Sequence, residues 1–526
     1  MQKNTILFVV CSALTIFLWY YFFTPEQPVR PQQQETAVER QNAHTQNANV
    51  SASVNETNIS VAPDQKEDSV IKEETINIET DIYKAVLSNR GASVISWSVK
   101  EKNGNWIDLV LPQAAPVMAN FPGSNYQIIS RSNEKVVFEH ISAQGWKIVK
   151  TYTLSPDSYM HNVRISLSKT RGESPRSEAP LPQIELEWGP GLGTDAKEQQ
   201  ENISVTRALA FTAVKPGKIR NLKKEYVSAP LYRWAAIDNR YFLAAFIPEK
   251  SIDFDQIIPS RQDKKRPYSI TITAIAPKES ESKEYSVDFY LGPKGYTYLK
   301  SYNLGLEQAV DFGFFGFLGK TAFKALSFFH NSTGNYGWAI IILTLIIQIL
   351  ILPLSLKSYK AMAAMKRVQP MIKEIQDKFK ENPQRLQAEM MNLYKSQKVN
   401  PLGGCLPMLL QLPIFWAFFM MLRNAYELRN EAWILWVNDL SAADQFMNLG
   451  AFNLNLLPLI MGLGMFFQQK MTMTTADPMQ KKIMYIMPIV FTFMFWTFPS
   501  GLVLYWLTNS VCSMITQFVV LKKQKN

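Results

Sequence analysis

Five strongly apolar stretches of the chain lack Asp, Glu, Lys and Arg altogether: residues 5–23, 338–356, 402–422, 449–467 and 483–521. Each of the first four is long enough to cross roughly 30 Å of hydrocarbon as a helix. The last runs for 39 residues with Pro499-Ser500-Gly501 near its middle, which reads as two spans joined by a tight turn. Six membrane spans exclude a soluble enzyme and an ordinary nucleic-acid binder. The same runs lack histidine. Ion-coupled transporters and proton relays place ionisable groups at mid-membrane, so their absence argues against that class.

Cysteine is scarce too. Cys11, Cys405 and Cys512 all lie in or beside expected spans, so the exported part has no disulfide framework. Val10 stands where a lipoprotein needs a small residue before its cysteine. The apolar run continues to Phe23, too long for a cleaved signal peptide, and reads as an uncleaved anchor. The four histidines, His44, His140, His161 and His330, show no ligand spacing. Residues Gly313 to Thr321 imitate a phosphate loop, but Phe314 occupies a required glycine position. No catalytic residue, cofactor or metal is expected.

What is present is charge, and its placement. Residues 357–400 hold ten basic and four acidic side chains, whereas 423–448 hold two and four. Basic loops face the cytoplasm. That rule puts 357–400, 468–482 and both termini inside, and the long 24–337 stretch and 423–448 outside. An even number of spans returns the C-terminus to the side of the N-terminus, so the two arguments agree.

Residues 24–75 are rich in Gln, Asn, Thr, Glu and Pro, a composition too polar to bury a core, and read as a disordered tether. From 76 to 305 short alternating runs recur, such as Ile76 to Thr80, Val94 to Val99 and Ser269 to Thr273. Asn103-Gly104 and Pro122-Gly123 punctuate them, and the whole predicts an all-β sandwich. Residues 306–335 crowd phenylalanines around Lys320 and Lys324, which predicts an amphipathic helix in the outer interface. A helix docked on the β domain is the alternative. The segment 357–400 predicts a basic, methionine-rich helical hairpin broken at Asn382-Pro383.

The spans carry neutral polar residues instead of charge. Thr344 and Gln348 share one helical face. Gln411 lies in the third span, Thr492 and Thr497 in the fifth. Tyr505, Asn509, Ser513 and Thr516 form a stripe in the sixth, with Trp506 beside it. Taken singly, each reads as an interhelical hydrogen bond. Together they suggest a shared hydrated groove.

Asn400-Pro401-Leu402-Gly403-Gly404-Cys405-Leu406-Pro407-Met408-Leu409-Leu410-Gln411-Leu412-Pro413-Ile414-Phe415 resembles the signature of the YidC/Oxa family of membrane protein insertases. Asp477-Pro478-Met479-Gln480 and Phe498 to Tyr505 resemble two further blocks of that family. The whole chain is similar to the Gram-negative members: anchor 1–23, tether 24–75, a periplasmic domain at 76–305, an interfacial helix at 306–335 and a five-span core at 336–526. The resemblance implies a super-β-sandwich in the periplasm. It also implies a groove open to cytoplasm and lipid, with Thr344, Gln348, Tyr505 and Trp506 at matching positions; Gln411, Thr492, Asn509 and Ser513 join the expected lining as polar residues of the same spans. The groove arginine of the family aligns with Gln348, a departure from the pattern. Implied partners are nascent membrane proteins, the inner-membrane bilayer and the Sec translocon, with the ribosome and the signal recognition particle pathway left open. A transporter or lipid-translocating protein is the competing reading, and a sugar-binding role of the β domain a weaker third.

Overall fold

The computed structural model describes residues 72–399 and 406–523, except 113, 143–144, 171–182, 196–197, 199–201, 203, 224–225, 262–265, 276–281, 449–452 and 473–477. The expected anchor and nearly all of the expected tether lie outside the described residues, as do the first residues of the insertase-like signature.

Strands fill the chain from Thr75 to Pro293. The alternating runs become strands at Thr75–Glu79, Ser93–Lys100 and Ser269–Ala274. A nine-stranded antiparallel sheet is flanked by two four-stranded sheets. The strand Ser93–Lys100 of one packs on Lys283–Pro293 of the large sheet, and Ser269–Ala274 of the other packs on Tyr232–Asp238. Period-two alternation places one set of side chains in the core. In Trp146–Thr153 every second residue from Trp146 to Tyr152 is buried or nearly so. Tyr232–Asp238 and Phe242–Pro248 are instead buried on both faces. The segment after the last strand covers their second face, and there Trp234 donates its indole N–H to the Leu304 carbonyl at 3.1 Å.

Helix α1 spans Tyr296–Ser301, α2 Gly316–Thr333 and α3 Tyr336–Lys378. The α2–α3 junction is set by two residues. Gly334 takes the left-handed conformation that ends α2, with its N–H bonded to the His330 carbonyl. Asn335 then caps α3, its side chain accepting from the N–H groups of Gly337 and Trp338. Helix α2 packs on α3 and on α5, Leu406–Asn424. It leaves Phe314, just before its start, and Phe317 and Phe328 exposed.

Helix α3 runs unbroken for 43 residues, about 65 Å. The expected span and the first arm of the expected hairpin are therefore one rod, with Pro353 and Pro370 inside it. Helix α4, Pro383–Ser396, begins after the predicted break, where the Asn382 side chain accepts from the Arg385 N–H at 3.1 Å. Three further apolar helices follow: α6 Leu456–Thr472, α7 Pro478–Met494 and α8 Ser500–Lys523.

Among the described residues, α3 and α8 are long and apolar enough to cross a membrane, and α7 continues as a shorter apolar segment. Helix α6 corrects the expected span at 449–467. Asn453-Leu454 pairs with Met447-Asn448 as a small hairpin, and the helix starts only at Leu456. Two tertiary bonds fix that start. The Asp444 carboxylate accepts from the Leu457 N–H at 2.5 Å, and Asn455 donates to the Trp496 carbonyl at 2.6 Å.

Candidate functional site

Helix α8 sets the geometry, because it packs on α3, α6 and α5. Its first residue is held from outside the helix: the Ser500 N–H donates to Ala442 and its hydroxyl to Asp439. From there Tyr505, Asn509, Ser513 and Gln517 recur every four residues along one face. Gln411 of α5 meets that face. Its Nε2 donates to the Tyr505 hydroxyl at 2.7 Å and approaches Asn509 Oδ1 at 3.5 Å. The Tyr505 ring stacks on Phe418 with centroids 4.6 Å apart. Further along, the Ser513 side chain lies beside the Tyr359 hydroxyl of α3. These contacts make a seam of amides and hydroxyls with no formal charge. Such a surface hydrogen-bonds a passing polar group without the desolvation cost of a buried ion.

The other expected groove residues take different places. The Thr344 hydroxyl is buried and donates to the Ile340 carbonyl of its own helix. Thr492 likewise donates to Pro488. Its Oγ1 occupies the space where a side chain on Gly462 would sit, so it serves close α6–α7 packing. Trp506 points away from Tyr505, because adjacent helical residues diverge by roughly 100°. It joins Phe415, Phe491 and Phe495 with ring centroids 5.0–5.9 Å away. Gln348 is half-buried and makes no hydrogen bond among the described residues, beside exposed Leu345, Ile346 and Ile349. Thr516, expected in the stripe, bonds back to Cys512. Gln517 takes that place, and its Oε1 is buried without a partner. The four-residue spacing from Ser513 was its only sequence signal.

Residues 328–526 match the family model described as 60Kd inner membrane protein, and 111–325 match the YidC periplasmic domain. Membrane protein insertase YidC of Endomicrobium trichonymphae is 63% identical over 525 residues, covering 99% of this chain and 98% of that protein. The chain belongs to the YidC family of membrane protein insertases. Its relative from Syntrophus aciditrophicus is 34% identical over 565 residues, covering 99% of this chain and all of that one. A crystal structure titled as an active YidC insertase with its first transmembrane domain resolved aligns with 85% of this chain and 92% of its own. It is 19% identical with a TM-score of 0.38, and the family assignment does not rest on it. YidC relatives are inner membrane proteins with a periplasmic domain.

In this YidC chain a second cluster joins that domain to the helices. The six residues after Ala425 form a clamp. The Tyr426 ring lies against Tyr241 and Phe242. The Glu427 carboxylate accepts from the Thr297 N–H at 3.2 Å. The buried Arg429 guanidinium donates to Glu101, to both oxygens of Glu198 at 2.9 Å and to Asp195 at 2.5 Å. It also lies 4.3 Å over the Tyr241 ring. Lys102 pairs with Glu431 at 2.6 Å and donates to the Glu427 carbonyl. Burial pushes the carboxyls of Glu101 and Glu427 up from their ordinary values, and for Glu101 Arg429 opposes that push.

Proposed function

We propose that this chain inserts newly made membrane proteins into the inner membrane and assists their folding, without covalent catalysis. On this reading clients pass along the seam of Gln411, Tyr505, Asn509 and Ser513, with Gln348 at its lipid-facing edge. The single observation that carries it is the Gln411–Tyr505 bond with Asn509 beside it. Helices α5 and α8 there present polar groups to one another within otherwise apolar surfaces. Moving a hydrophilic tail across a bilayer is costly because each unpaired polar group loses its water. A neutral polar seam part-way across shortens the apolar path and lends temporary partners. The hydrophobic segment that follows leaves sideways into lipid, driven by apolar burial.

The topology proposed with it has six spans: the anchor at 1–23 and five within 336–526. Both termini and the 357–400 hairpin are cytoplasmic, and 76–305 forms the periplasmic domain behind a tether at 24–75. The segment 306–335 lies along the outer interface, which the exposed phenylalanines of α2 support. The Sec translocon is the proposed partner for larger clients.

Purified protein in liposomes is expected to insert a small single-span client without nucleotide. Failure with several clients, alongside measurable flux of small solutes, would favour a transporter instead. Gln348→Leu separates clients: those with polar tails slow more than those with short apolar ones. Normal insertion of both by Gln348→Leu, with no client cross-link at 348, would make Gln348 a packing residue.

A further inference from the structure

The loop between the clamp and α6 carries an apolar tip that the insertion mechanism does not use. Trp433-Ile434-Leu435-Trp436 closes a tight turn in which the Val437 N–H bonds to Ile434 and the Trp433 N–H to Val437. Leu435 sits at its apex, 80% exposed, with φ of +55°. That left-handed conformation suits Gly, Asn or Asp, which also tolerate water. A leucine there gains nothing from the turn and exposes its whole side chain.

The turn is not loose. Asn335 donates to the Ala432 carbonyl at 2.9 Å, and the Trp433 ring fills the space that a side chain on Gly337 would need. The loop is thus lashed to the first turn of α3. Trp338 meets Trp433 there, with ring centroids 5.7 Å apart. Below Trp338, Leu345 and Ile349 continue the same exposed face of α3 at helical spacing. On the other side Trp436 meets the exposed Phe446 at 5.3 Å. The apolar surface therefore runs without interruption from the lipid-facing stripe of a membrane helix onto the loop. No charge lies between Glu431, which Lys102 neutralises, and Asp439.

We infer that the Trp433–Trp436 turn is a second interfacial anchor, seated in the outer leaflet with Leu435 below the headgroups. Its occupant is the acyl boundary of the bilayer. Exposed Ile434, Leu435 and Phe446 supply the apolar contact and Trp338 suits the rim, while Trp433 and Trp436 brace the turn with their indole N–H groups buried in the protein. The absence of basic residues makes the anchor indifferent to headgroup charge, unlike basic amphipathic helices. The inference rests on α3 crossing the membrane with Tyr336 at its outer end.

The test uses the full chain with Cys11, Cys405 and Cys512 replaced by serine, carrying one nitrobenzoxadiazole label. The labels are placed at Leu435→Cys, at Ile349→Cys on the α3 stripe, and at Ile252→Cys on the exposed β-domain surface. Vesicles are phosphatidylcholine alone or mixed with phosphatidylglycerol, with nitroxide-bearing lipid as quencher. Quenching at 435 is expected to approach that at 349 and exceed that at 252 by about twofold or more, equally in both vesicle types. Quenching at 349 but not at 435 would overturn the anchor and leave the span intact. Loss at both would overturn the span and the anchor with it. Shielding at 435 that vanishes when the protein is diluted in lipid would mean a second copy of the chain covers the turn. Quenching at 435 only with phosphatidylglycerol would defeat the uncharged mechanism.

Discussion

The clamp at 426–431 and the seam at 411–517 solve opposite problems with opposite chemistry. The clamp concentrates charge: one guanidinium meets three carboxylates, and a lysine bridges back to the same loop. It lies outside the apolar helices, and its several bonds over-determine one geometry. The seam holds only amides and hydroxyls, and some of its groups stay unmatched. Gln517 keeps a buried oxygen without a partner, and Gln348 has no hydrogen bond among the described residues. The joint draws its strength from paired charge, even though one oxygen each of Glu101 and Glu427 is buried without a partner. A surface that trades partners with passing chains does without such fixed charge pairs.

The largest expected effect breaks the clamp. Arg429→Ala leaves Glu101, fully buried, facing Asp195 and Glu198 with no cation between them. Removing one partner of a buried pair costs about 3–5 kcal/mol. The thermal midpoint should fall accordingly, and proteolysis should open the 426–431 loop. Arg429→Lys keeps the charge but cannot fork to three carboxylates, so an intermediate loss is expected. An unchanged midpoint in Arg429→Ala would make the clamp incidental.

The two regions also differ in how far the sequence displayed them. Strands such as Ser93–Lys100 were legible because alternation is local, and the long apolar helices α3 and α8 because charge-free runs are. Arg429 showed nothing, since its partners lie 231 to 328 residues upstream. The start of α6 was misplaced because bonds of Asp444 to Leu457 and of Asn455 to Trp496, not hydropathy, set it. The groove residues were legible as a set, but not their directions. Thr344 and Thr492 bond to their own helices, as short hydroxyls in apolar helices do. The continuity of α3 was hidden because the charge change at Lys357 marks a change of solvent, not of backbone.

Acid sharpens the contrast next. His161 lies in the β core among Tyr83, Trp97 and Phe289, and burial lowers its pKa from 6.5 to about 3. The stability it contributes is whole above 6.5 and is lost as pH falls toward about 3, amounting to about 2 kcal/mol by pH 5. Glu101 and Glu427 run the other way. Their raised values mean the folded state binds protons first, so acidification toward 4.5 does not weaken the clamp. Melting between pH 7 and 5 should therefore be flattened by His161→Phe, while Glu101→Gln leaves the acid loss in place. The reverse pattern would locate the sensitive joint at the clamp.

Within the seam the effects shrink. Gln411→Leu removes the bond to the Tyr505 hydroxyl, and interhelical bonds of this kind are worth about 0.6 kcal/mol, at most about 1.7. Tyr505→Phe should cost a similar amount. The double variant should cost less than the sum, because both changes delete one interaction. Strict additivity in detergent unfolding would mean the bond contributes nothing.

Gln517 gives the smallest stability effect and the clearest separation of the two regions. A buried amide with an unmatched oxygen is already paying its desolvation, so Gln517→Leu removes a cost along with any benefit. The expected change is within about 0.5 kcal/mol, and of either sign. A structural residue would leave insertion equally untouched. If the stripe from Tyr505 to Gln517 is where polar tails find partners, the variant keeps its melting temperature yet inserts polar-tailed clients more slowly. Its cross-linking to those clients at position 513 should fall in parallel. Stability and insertion should thus separate at Gln517, whereas at Arg429 they should fall together. Destabilisation by Gln517→Leu comparable to that of Arg429→Ala would mean the amide is a structural joint like the clamp.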